Sequence, residues 1–163
     1  HATSLGAASG AIAGLVAITP ACAFVAPWAA VVIGLVAGMI CSLAVSVKYR
    51  LGVDDSLDVV AVHLVGGVWG SLSVGLFGSQ VVNSLGIDGI FYGGGTTLLA
   101  KQGLGVGVVF AYSFVATLII GFIIEKTIGF RVTKDAEVEG IDLSEHAESA
   151  YEMTSSSHGG SSQ

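Results

Sequence analysis

The chain has 163 residues, 53% hydrophobic and 11% charged, with a formal net charge of −6. Soluble domains carry about 25% charged residues, so this balance, with a mean hydropathy of +0.83, excludes an ordinary soluble domain and points into a lipid bilayer. Six Lys and Arg in all leave no basic surface for nucleic acid.

The sequence predicts an all-α integral membrane protein with four spans, at about 5–19, 27–47, 56–79 and 103–128. Span one is short and stops at Thr19-Pro20; its Gly6, Gly10 and Gly14 recur every fourth residue, a small-residue row that predicts a tight helix contact. Pro27 opens span two, where its missing N–H costs nothing, and Gly34 and Gly38 repeat the row. Span three is predicted to begin at Ser56, with Asp54 and Asp55 ahead of it to cap free N–H groups and complement the helix dipole. A glycine-rich loop, 80–102, precedes span four. Residues 129–153 form a polar, acidic C-terminal region, and 154–163 is a Ser/Gly tail too poor in apolar residues to order itself. The chain does not begin with Met and has no signal-peptide layout, so residue 1 is expected to be the broken end of a fragment.

Lys48 and Arg50 follow span two, and Lys126, Arg131 and Lys134 follow span four. Two crossings separate these clusters, so both lie on one side, which the positive-inside rule makes cytoplasmic. Cys22 and Cys41 are too few for a disulfide framework and are expected about 20 Å apart in depth, as small apolar packers.

His63 is the chemically informative residue. An ionisable ring inside a span is costly and marks a functional site by default. Counted along a helix from Asp54, it is expected about 13 Å deep, near the midplane, sharing a face with Val59, Gly66, Gly67 and Gly70. A neutral imidazole there offers one donor and one acceptor to a small polar species; the competing reading is a packing histidine bonded between helices. Asp58 is expected one turn inside the span, on one face with Asp54 and Asp55, accepting backbone N–H groups of an adjacent helix end. Trp28 reads as an interfacial aromatic and Trp69 as a packing residue. Gly103-Leu-Gly-Val-Gly107 follows no strand, so it is no dinucleotide fingerprint. Neither a metal-ligand spacing nor a nucleophile–base pair is present, and the chain is read as neither an enzyme nor a cofactor protein.

Three ordered stretches carry a resemblance: Thr3-Ser-Leu-Gly-Ala-Ala-Ser-Gly10 with Gly14-Leu-Val-Ala-Ile-Thr-Pro-Ala-Cys22; Asp54-Asp-Ser-Leu-Asp-Val-Val-Ala-Val-His63; and Gly129-Phe-Arg-Val with Glu139-Gly-Ile-Asp142 and His146-Ala-Glu-Ser-Ala-Tyr151. With them the chain resembles the C-terminal part of the ammonium transporter (Amt/Mep/Rh) family, on its bacterial branch. The resemblance implies ammonium/ammonia transport by a homotrimer of eleven-helix subunits in the plasma membrane, each with its own hydrophobic pore and a cytoplasmic C-terminus. The four spans would be the last four helices. His63 matches the second histidine of the family's pore pair, and Val59 matches an apolar lining position. Asp54, Asp55 and Asp58 match the acidic motif opening that helix. Gly129, Arg131, Gly140, Asp142, His146, Glu148 and Tyr151 match the regulatory region on the cytoplasmic face, with a PII-type regulator as an implied partner. The first histidine, the phenylalanine gate and the outer recruitment site belong to the first seven helices, so this stretch by itself is not expected to conduct. The alternative is an ammonium sensor or signalling scaffold that binds a cytoplasmic regulator through its C-terminal region. A generic packing module of another transporter would explain the glycine rows but not the three ordered motifs.

Overall fold

The computed structural model describes residues 4–52 and 54–147. Within them the chain is helical, with four helices long and apolar enough to cross a membrane. It divides into two compact units, residues 1–112 and 113–163.

In the first unit, α1 (Ser4–Ile18) runs into a 3-10 turn (Thr19–Ala21), where Pro20 ends the regular helix. Helix α2 (Pro27–Leu51) starts on Pro27 and closes on Gly52, whose left-handed φ of 64° lets its N–H reach the Lys48 carbonyl. A π-wound turn, Val60–Val65, continues without a break into α3 (Gly66–Phe77).

These helices meet along rows of small residues, but the rows are not all the predicted ones. Ala17 and Ala21 are buried against Ala29, Ile33, Ala37 and Val74, and Ala13 packs with Cys41 and Val62. Of the glycines expected to make the contact in span one, Gly14 comes close to Gly34, while a Cβ at Gly10 would meet nothing within 4 Å. The alanine row lies one residue from the glycine row, and either is narrow enough for close approach. Alanine adds a methyl group to the contact, and in a bilayer such van der Waals packing is a main source of helix association. Helix α3 comes closer still: a Cβ on Gly70 would fall 2.1 Å from the Ala17 carbonyl oxygen. Trp69 donates its indole N–H to the Ile33 carbonyl at 3.0 Å, tying α3 to α2.

The loop after α3 folds back on the helix ends. Ser79 N–H bonds to Phe24 O at 2.9 Å, Gly89 N–H to Gly78 O at 2.8 Å, and the Asp88 carboxylate accepts Gln80 N–H at 2.7 Å. Phe77 stacks on Phe91 and meets Trp28 edge to face, with centroids 5.0 and 5.7 Å apart. Helix α4 (Thr97–Thr127) starts six residues before the predicted Gly103. Thr97 through Gln102 are mostly good helix formers, and Leu99 lies against Gly75. No residue of α4 is buried within the chain.

In the second unit, α4 ends in a tight turn. Ile128 and Gly129 both donate to Ile124 O at 3.0 Å, with Gly129 at φ 82°. Two short helices follow, α5 (Lys134–Glu139) and α6 (Ile141–His146), separated by Gly140 at φ 106°. Thr133 caps α5 by accepting Ala136 N–H at 3.3 Å.

Candidate functional site

The site is built where the end of α2 meets the start of the π turn. Residues 54–58 are not helical, and Asp58 sits in the left-handed region at φ 56°. The expected helix start at Ser56 and the placing of Asp58 one turn inside the span therefore do not hold. The physical reason is the double cap made by Asp55. Its two carboxylate oxygens accept Val59 N–H and Val60 N–H, each at 2.9 Å, fixing the first turn at those residues. The Val60 hydrogen bond is the largest influence holding the Asp55 carboxyl below the usual carboxylate range. The Val59 bond and the Lys48 charge act in the same direction, against the cost of desolvation.

Asp58 takes a different partner from the one expected. Its carboxylate pairs with the Lys48 ammonium at the end of α2, and Lys48 also donates to the Asp55 carbonyl at 2.5 Å. In the sequence Lys48 carries only an orientation signal, and this role is not legible there. Its ten-residue separation from Asp58 across a chain reversal gives no local pattern to detect.

His63 lies in the π turn, and its side chain is exposed on the surface of the helical unit. Val59 is also exposed, at 49%, while Ala61 and Val62 are buried at 2% and 4%. The face expected to join His63 to the glycines is therefore split. Gly66 and Gly70 are buried beside Ala13 and Ala17, and a Cβ on Gly67 would meet nothing within 4 Å. Because helix begins at Val59, His63 stands at the end of the first turn, about 6 Å along it, and the count of about 13 Å of helix from Asp54 does not hold.

At the other end of α3, a cavity of 240 Å³ is lined by Pro20, Phe24, Val74, Ile87 and Leu98, with Gln102 its one polar side chain. Among the described residues, no three His, Cys, Asp or Glu side chains are grouped to hold a metal ion. Cys22 is exposed and Cys41 buried, both as free thiols.

In the second unit, Gly129, Arg131, Gly140, Asp142 and His146 lie in or beside α5 and α6, all but Gly140 exposed. Ile128, Phe130 and Val138 present apolar side chains to the surface at 85%, 65% and 90% exposure. Glu148, Tyr151 and the Ser/Gly tail lie outside the described residues.

Residues 1–151 match the family described as the Ammonium Transporter Family. The chain belongs to the ammonium transporter family. It is 51% identical over 157 residues to an ammonium transporter of Mycobacterium bovis, an alignment covering 93% of this chain and 33% of that protein. An ammonium transporter of Bacillus subtilis is 44% identical over 151 residues, covering 92% of this chain and 37% of the relative. Among solved structures, Mep2 of Saccharomyces cerevisiae superposes with a TM-score of 0.75 at 37% identity, over 83% of this chain and 31% of that one. The chain thus spans about a third of the length of the curated relatives it matches. With its four apolar helices it is a multi-pass membrane protein of this family.

Proposed function

We propose that these helices form one wall of a transmembrane path for NH4+/NH3, with His63 and Val59 facing the substrate. In this reading they are the last four helices of an eleven-helix subunit. The observation that carries it is the exposed His63 ring on an otherwise apolar helix surface, in a chain of the ammonium transporter family. A helix that presents histidine to lipid would pay for it, so the ring is expected to face a path or a hydrogen-bonding partner inside the protein.

The chemistry follows from solvation. A full charge moving through an apolar lumen meets a desolvation cost that neutral ammonia avoids. Deprotonation at the pore entrance, passage of NH3 past a pair of imidazoles and proton relay along them reconcile recognition of the ion with a dry lumen. His63 supplies one imidazole; its partner comes from another part of the intact transporter. The same reading carries a homotrimer in the plasma membrane with a cytoplasmic C-terminus, the side to which Lys48, Arg50 and Lys126 assign the ends of α2 and α4. It is tested in the full-length protein by His63→Ala. The expected result is loss of selective methylammonium uptake; unchanged uptake with unchanged discrimination against K+ refutes the role.

The sensor reading has one observation in its favour, the apolar side chains of Ile128, Phe130 and Val138 left uncovered beside the acidic helices. Such a surface suits a protein partner, for which a PII-type regulator is the family-based candidate. Deleting the C-terminal region with uptake spared and nitrogen signalling lost would favour that role over transport.

A further inference from the structure

The π turn changes which residues share the buried face of α3. Take the face of α3 that packs on its neighbours, marked by Gly66, Gly70, Ser73 and Phe77, all buried. On an unbroken α-helix, positions 59, 62 and 63 would lie within about 60° of Gly66, and position 61 about 140° away. The observed burial is different: Ala61 and Val62 are inside, while Val59 and His63 are outside. One extra residue in the turn accounts for all four. A single added residue rotates the preceding segment by about 100°, which brings 61 and 62 to within about 60° of Gly66 and carries 59 and 63 to about 120° and 160°.

The neighbouring helix gives the same answer independently. Gly66 lies beside Ala13 O and Gly70 beside Ala17 O, so α1 and α3 keep step along this contact. Continued without the π turn, that step would set His63 beside Gly10. Gly10 instead has nothing within 4 Å of its Cβ position.

We propose that the π turn is the positioning element of the histidine site: one residue of helical slack that turns His63 away from α1 and onto the face that meets the substrate. An α-helical turn of the same sequence would bury the ring against α1 and expose Ala61 in its place. The proposal rests on the reading that His63 lines the transport path, and it adds what makes the ring available there.

Disulfide trapping in the full-length transporter, with Cys22 replaced by Ser, tests the phase without reference to uptake. The Gly66→Cys variant is the positive reference, because its Cβ would lie 3.4 Å from the Cys41 sulfur. With Cys41 also replaced, Gly10→Cys combined with His63→Cys reports on the phase at the histidine. Gly6→Cys combined with Val59→Cys does so one turn nearer Lys48, and serves if the first pair disturbs folding. Both pairs are expected to cross-link at less than about a tenth of the reference yield, since bridging needs Cα atoms within about 7 Å. Cross-linking of either pair at the reference level overturns the proposal. If His63→Ala leaves uptake intact while both pairs stay silent, the transport reading of His63 fails and the helical phase stands. If His63→Ala abolishes uptake while a pair cross-links, the phase inference fails alone.

Discussion

Replacing Gly70 by Ala would drive a methyl carbon to 2.1 Å from the Ala17 carbonyl oxygen, and to 2.8 and 2.9 Å from the Ala17 carbonyl carbon and Cα. All three contacts are backbone atoms of α1, so no rotamer change relieves them. The helices would have to part by about 1 Å along a contact that also carries Ala13 and Gly66, forfeiting a quarter or more of the dispersion at each loosened atom pair. Overpacking of this kind costs about 1–3 kcal/mol, against which better helix propensity returns up to about 1 kcal/mol. Gly66→Ala is the internal comparison, one turn away on the same face. Its Cβ meets Cys41 Sγ at 3.4 Å, Val16 Cγ1 at 3.5 Å and Ala13 O at 3.7 Å, ordinary or nearly ordinary contacts. Thermal unfolding of the full-length variants in one detergent should show Gly70→Ala clearly destabilised and Gly66→Ala close to the parent. Equal stability of the two variants would refute the assignment of the α1–α3 contact.

Lys48→Met removes the cation from Asp58, whose carboxylate is only partly exposed, and the donor to the Asp55 carbonyl. A loss of about 1–3 kcal/mol in unfolding free energy is expected, below the full cost of a completely buried unpaired charge; a variant as stable as the parent would deny the pair a holding role. Asp55 gives the acid limb of stability. Its folded pKa is depressed, so its contribution is complete above the ordinary carboxylate value of about 3.9 and is lost as pH falls through the lower folded value. Asp55→Asn, which removes that titration, should flatten the acid limb of the melting profile; an unchanged limb would show that the cap contributes no titrating stability.

Much of the fold was legible because membrane physics is strict. An apolar run of about 20 residues has few options other than a helix, and Pro20 and Pro27 mark where one must end or begin. His63 stood out for the same reason, as an ionisable ring in such a run. The loop was legible as glycine-rich, but not the reason: a Cβ on Gly94 would fall 1.7 Å from the Asp88 carbonyl oxygen, a closeness set by how the loop folds on itself.

The sequence by itself determined four spans and the family, and it singled out His63 as the candidate residue. Tertiary structure decided which small-residue row packs and which way the histidine faces. Rows one residue apart on a helix are equally narrow, so only the partner helix selects Ala13, Ala17 and Ala21 over the glycines beside them. A π turn has no pattern of its own in Val60-Ala-Val-His-Leu-Val65. It forms where burying Ala61 and Val62 together with Gly66, under the Asp55 cap, leaves one residue of slack. That slack, and not the spacing of the sequence, turns His63 outward.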